Sequence, residues 1–337
     1  MLSRFITNIT FFSDKLNIAL IAIAAVLAYI FPLELFIFSY ALLGPLHYVT
    51  EINWLHEKNY FFTSHKLIWL IIGVTAALIL FLPKLFLYYY SEETAFTAFL
   101  IFINEWSNSV IFISLMVAIA YQFVSSKTSW IITIVLAILG ALLLKNVEQY
   151  RLLIGMFVPT VIHVYLFTLI FMLYGAKKSN SRYGYISVIV ALMIPVLIIN
   201  LNIAPDAYLF NDLWKEAFLE NDFHVLPVVL SKYLGITDGT SFFFYEPIWI
   251  KFMMFISFIY CYHYLNWFSK TTVIKWHKLL NKKKIIAICM IWLAVFTMYC
   301  FDFTLGILMS LFLGFTHVIL EFPLNMLSIK EILFSNK

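Results

Sequence analysis

The sequence predicts an all-α fold, a polytopic transmembrane helical bundle of about ten spans, and three observations carry that expectation. Hydrophobic residues make up 63% of the 337 and charged residues only 12%, where a soluble domain has roughly 45–50% and 25%. Mean hydropathy is +0.94. The apolar residues fall in runs near the ~20 needed to cross about 30 Å of hydrocarbon. So few charges cannot cover a water-facing surface, and the bilayer must be the solvent for most of the chain. The 35 Phe, 20 Tyr and 9 Trp supply bulk for lipid contact and interfacial anchoring.

Residues 1–15 carry Arg4, Asp14 and Lys15 among Phe5, Ile6, Ile9, Phe11 and Phe12. They read as an interfacial helix without the cleavage site of a signal peptide. Spans follow at 16–33, 35–55, 67–83, 97–124, 129–145, 152–174, 185–203, 247–268, 284–303 and 304–322. Only Pro32 to Glu34 separate the first two, and only Asp302 to Thr304 the last two. Each joint is a tight turn or a kinked continuation. The 97–124 run opens on a polar patch, Asn104, Glu105, Ser107 and Asn108, which reads as a helix entrance at the outer surface.

Lysine and arginine in short loops set the orientation. The 269–284 loop holds Lys270, Lys275, Lys278, Lys282, Lys283 and Lys284, and 175–184 holds Lys177, Lys178 and Arg182. Both are placed in the cytoplasm. The long 204–246 loop has seven acids against Lys215 and Lys232 and falls on the opposite face. Its Trp214, Phe218 and Phe223 suit short amphipathic helices on the membrane. Loops 56–66 (with His56 and His65) and 125–128 fall inside and 84–95 outside; 146–151, with Arg151, is the exception to the charge rule. Both termini are then cytoplasmic, and residues 1–337 form a single integral membrane domain. Lysine far outnumbers arginine, and Ile and Asn are common, a bias that points to an AT-rich bacterial genome; the expected location is then a bacterial inner (cytoplasmic) membrane.

Several function classes lose their basis. No basic cluster alternates with aromatics in a polar stretch, so nucleic acid is not expected as a partner. Cys261, Cys289 and Cys300 lie in apolar runs without CxxC spacing and read as reduced thiols. There is no Walker A loop, no G-x-S-x-G and no Gly-rich dinucleotide fingerprint. His56 and Glu57 lack the second histidine of an H-E-x-x-H zinc site.

Ionisable groups inside hydrocarbon are costly enough that each is a candidate for function. Four histidines qualify, His47, His163, His263 and His317, with Glu51 and Glu321. Residues 44–51 read GPLHYVTE and 314–321 read GFTHVILE, two copies of G-x-x-H-x-x-x-E. On a helix, His and Glu four apart share one face, and the Gly three before the His opens room beside the ring. All four histidines fall on spans of one direction, so their imidazoles can gather in the inner half of the bilayer. Neutral imidazole is a common ligand for Fe, Zn and Cu, and carboxylates ligate or orient a ligating His. Four His with Glu51 and Glu321 behind them suit non-haem Fe(II). Proton relay and haem ligation use the same residues. The plainer readings are a His–Glu hydrogen bond stapling helices, a His163 that satisfies the carbonyl freed by Pro159, and an interfacial His263 in the aromatic belt YCYHYLNWF.

At these residues the chain resembles the Brp/Blh family of membrane β-carotene 15,15′-dioxygenases. GPLHYVTE (Gly44, His47, Glu51) is similar to an early family motif, YCYHYLNW (His263) to a later His in an aromatic stretch, and GFTHVILE (His317, Glu321) to a His with an acid close behind. The sequence departs from the family pattern at Leu46, where proline is expected, at Glu51, where aspartate is expected, and at Thr316, also a proline position. The resemblance covers the two ends of the chain and little of the middle. It implies Fe(II), O2 and oxidative cleavage of a polyene that arrives from the lipid, with a retinal-type product. Under it His47, His163, His263 and His317 would be ligands, and Glu51 and Glu321 catalytic orienters. The rival expectations are a proton-coupled secondary transporter and a haem-binding or structural subunit.

Overall fold

The structure is a computed structural model and describes residues 2–58, 66–90, 92–270 and 276–334. His65 and Lys275, placed above in cytoplasmic loops, lie outside the described residues. Among those described, all regular structure is helical. Nine helices among the described residues are long and apolar enough to cross a membrane: Pro32–Glu57, Trp69–Tyr89, Ala95–Phe123, Lys127–Leu144, Glu148–Ser179, Arg182–Asn200, Pro247–Ser269, Lys282–Phe301 and Phe303–Phe334. They answer nine of the ten expected spans; the tenth, 16–33, is residues 16–30 of the helix Leu2–Ile30 and runs past its end at Phe31. That helix is continuous, so the first span and the stretch before it are one element. The chain is an all-α integral membrane protein. Its outward side chains agree: Leu143 is 79% exposed and Phe301 86%, a cost in water that lipid removes.

Both doubtful joints are breaks between helices. Phe31 leaves helical geometry (φ −129°, ψ 60°) and Pro32 opens the next helix, where its missing N–H costs nothing. Asp302 is extended (φ −152°, ψ 109°), and its Oδ1 accepts from the Leu305 N–H at 2.9 Å, capping the last helix. Its other oxygen accepts from the Tyr88 hydroxyl. That bond holds the Asp302 carboxyl below its usual range. The polar patch of the fourth expected span divides two helices, Ala95–Asn104 and Ser107–Phe123. There Glu105 pairs with Lys145 at 2.9 Å, and Lys145 lies 4.3 Å over the Trp106 ring. His56 is an exposed residue of the helix Gly44–Lys58, which runs past the expected end of its span.

The chain divides into two compact units, residues 1–44 with 175–275 and residues 45–174 with 276–337. In the first, Leu2–Ile30 packs on Pro247–Ser269, Arg182–Asn200 and Pro32–Phe38. The 204–246 loop is folded onto this unit. Its helix Asp212–Glu220 packs on Pro32–Phe38 and Val225–Tyr233 on Pro247–Ser269. Phe218, 1% exposed, meets Phe36, Phe223, Phe242 and Phe244 with ring centroids 5.6–5.9 Å apart. Edge and tilted contacts of this kind exceed simple area burial. The aromatic residues expected to lie on the membrane thus include one that is a core side chain.

The second unit is organised around the last helix, Phe303–Phe334, which packs on Lys66–Tyr89, Ser107–Phe123, Lys282–Phe301 and the helix Leu153–Phe167. Gly73 makes the first contact close: a Cβ there would stand 2.7 Å from the Leu320 side chain. The Trp69 indole N–H donates to the Leu320 carbonyl at 3.3 Å. Gly155 plays the same part for Asn108, whose Oδ1 would lie 2.2 Å from an added Cβ.

Candidate metal centre

Five of the six expected residues belong to the second unit: His47 and Glu51 on Gly44–Lys58, His163 on Leu153–Phe167, His317 and Glu321 on the last helix. All five are buried, with exposures of 1–6%. The segment holding His163 is a π-helix with Pro159 inside it. Proline cannot donate to an earlier carbonyl, and a wider turn around it re-aims the following side chains. The Thr160 hydroxyl, beside it, donates back to the Met156 carbonyl.

His47 and Glu51 behave as their spacing dictates, with His47 Nε2 and Glu51 Oε2 3.1 Å apart. The Thr50 hydroxyl donates to the carbonyls of Leu46 and His47 at 2.8 and 3.0 Å, keeping that turn of helix internally bonded. The second copy of the motif is used differently. His317 Nδ1 lies 2.8 Å from the Gly314 carbonyl, so its second nitrogen is already served by its own helix. Glu321 meets His163 of another helix instead, Oε2 to Nδ1, at 3.2 Å.

The imidazoles of His163 and His317 then face each other, Nε2 to Nε2, at 2.9 Å. The His47 ring lies edge-on to His317, with centroids 5.1 Å apart. Ligand atoms of His163, His317 and Glu321 all lie within 4.8 Å of one another, a group able to hold a metal ion. His263 is on Pro247–Ser269, in the first unit, and is 8% exposed. The group described here is made of second-unit residues alone.

Sequence reasoning missed Tyr48. Its ring stacks on His317, with centroids 4.7 Å apart and planes 23° from parallel. It also sits against Gly314, where an added Cβ would be 3.6 Å from the Tyr48 ring. The one available signal was its place next to His47, which does not distinguish it from the many aromatic anchors. Comparison with protein-family models, curated proteins and solved structures finds no match for this chain.

Proposed function

We propose that this chain is a membrane-embedded, metal-dependent oxygenase that holds non-haem iron and cleaves a double bond of a lipid-soluble polyene, such as a carotenoid, with O2. One observation carries the reading. With the His317 proton on Nδ1, 2.8 Å from the Gly314 carbonyl, and the His163 proton on Nδ1, 3.2 Å from Glu321 Oε2, both Nε2 atoms would present lone pairs. They converge at 2.9 Å. Two acceptors at that separation repel unless a cation lies against both. Nitrogen ligands at about 2.1 Å subtending a right angle stand about 3.0 Å apart. The donor set fits: neutral imidazoles suit iron, and carboxylates behind them set their tautomers.

In this reading His163 and His317 offer Nε2. His47, whose Nε2 faces Glu51, offers Nδ1. When bound, iron supplies the activation of O2 that a closed-shell polyene cannot achieve with side chains alone. The protein's share is to fix the imidazoles and exclude water, while the lipid delivers the substrate. One oxygen atom goes to each carbon of the cleaved bond, leaving two carbonyl products and no net proton change. The resemblance to the carotenoid-cleaving family favours a polyene, and the lysine-over-arginine composition a bacterial cytoplasmic membrane.

The same pair supports a second reading, in which a shared proton holds the rings and the chain moves protons with a solute. Metal analysis of detergent-purified protein separates the two. Stoichiometric iron, lost in His163→Ala and His317→Ala, is the expected result. Metal-free protein that takes up protons on reconstitution overturns the oxygenase. A Soret band would assign the imidazoles to haem.

A further inference from the structure

Beyond Glu321, the last helix carries polar groups that the metal centre does not use. His317, Glu321, Asn325 and Ser328 are spaced by four, four and three residues and share one face. Asn325 and Ser328 are each 0% exposed. The Asn325 carboxamide lies beside the Glu321 carboxylate. Neither its Nδ2 nor its Oδ1 makes a well-formed hydrogen bond, and neither does the Ser328 hydroxyl. Four other buried hydroxyls in these spans bond back to a carbonyl one turn earlier, Thr50 to Leu46, Ser114 to Val110, Thr168 to Val164 and Thr316 to Phe312, whereas those of Ser39 and Ser109 do not. Ser328 has the same option and does not take it.

Buried polar atoms are nearly always paired, and in hydrocarbon the cost of leaving them unpaired is higher still. Three such atoms within one turn imply a partner that is small, neutral and able both to donate and to accept. Water has that chemistry; an ion would meet only one kind of these atoms. Successive residues of the row are separated by about 6 and about 4.5 Å of helix rise. One water with two bonds of about 2.8 Å bridges about 4.6 Å at a tetrahedral angle and about 5.6 Å at most. We propose that Asn325 and Ser328 bind internal waters, forming a hydrated path from Glu321 towards the C-terminal end of the last helix. The path ends near the surface, where Lys330 donates to the Gln122 carbonyl at 2.6 Å and Leu333 and Phe334 are each 66% exposed. It gives water and small polar solutes a route to Glu321 that avoids the hydrocarbon. It holds whether the histidines bind a metal or share a proton.

Radiolytic hydroxyl-radical labelling of the intact protein in lipid nanodiscs tests it, because radicals formed from trapped water oxidise the side chains beside that water. Phe322 and Met326 flank Asn325 and are 0% and 7% exposed; Met253 and Met254 on Pro247–Ser269, at 2% and 0%, are the dry reference. Phe322 and Met326 should be oxidised several-fold faster than the reference, and Asn325→Leu and Ser328→Ala should lose that excess. Rates equal to the reference in the wild type overturn the proposal, as does an excess that persists in both variants. Ser328→Ala removes a single oxygen, so it decides the matter if Asn325→Leu does not fold.

Discussion

Glu321→Gln keeps the shape of the side chain and removes its charge. Glu321 Oε2 is 3.2 Å from His163 Nδ1, and His163 Nε2 is the nitrogen that faces His317. A carboxylate one imidazole ring away, about 6–7 Å from a dication, attracts it by about 5 kcal/mol at an effective dielectric constant of about 20. Much of that is offset because the metal-free protein is relieved of a buried charge by the same substitution. What survives should match other carboxylates that orient a ligating histidine, a loss of about 10–100-fold in affinity, or about 1.4–2.8 kcal/mol. Competition for iron against a chelator of known affinity measures it on purified protein. Thermal melting of the metal-free form shows whether the fold is intact. An unchanged iron affinity, with the fold preserved, would refute the claim that Glu321 acts on the cluster through His163.

Two further predictions concern the scaffold. A Cβ at Gly306 would stand 2.4 Å from Tyr299 Cγ and 2.8 Å from its backbone Cα, whereas at Gly314 the nearest atom is a Tyr48 ring carbon at 3.6 Å. Gly306→Ala should therefore destabilise by about 1–3 kcal/mol through overpacking. Gly314→Ala should be neutral or gain up to about 1 kcal/mol of helix propensity, and melting in one detergent ranks the two. Lys270 lies just past the span Pro247–Ser269, and burial pushes its amine down to about 8, with Asp14 opposing. Its folded value is below the unfolded one, about 10.4, so between those values the unfolded chain holds more protons and stability rises with pH. Lys270→Met should flatten that rise relative to wild type.

The spans were legible because lipid imposes a length and a composition that no other context produces. The breaks at Phe31 and Asp302 were legible from Pro32 and from an acid between two apolar runs. The pairing of His47 with Glu51 followed from 100° per residue. The division into two units was not legible, since a face against lipid and a face against protein are both apolar. Lys127–Leu144 and Pro247–Ser269 both read as spans, yet over an apolar stretch of 18 residues 11% of one and 78% of the other is buried. Phe218 looked like a membrane-surface residue because its partners Phe36 and Phe242 lie far away in sequence. The meeting of His163 with His317 depends on the π-helix around Pro159, and a proline alone does not say whether a helix kinks, ends or widens.

The two copies of G-x-x-H-x-x-x-E show why a shared spacing is not a shared role. An imidazole has two nitrogens, and a helix offers it two nearby partners, the carbonyl three residues back and the carboxylate four residues on. His47 turns Nε2 to the carboxylate of Glu51; His317 turns Nδ1 to the carbonyl of Gly314. Once that carbonyl is taken, Glu321 serves His163, and the local motif becomes a link between helices. Double-mutant cycles on the metal-free protein follow from this. Glu51 should couple to His47, and Glu321 to His163, by about 0.5–3 kcal/mol, with a smaller term between Glu321 and His317 despite their i,i+4 spacing. If Glu321 couples more strongly to His317 than to His163, the pair at the centre of the site is held differently from this account. The convergence of the two Nε2 lone pairs would then need no cation.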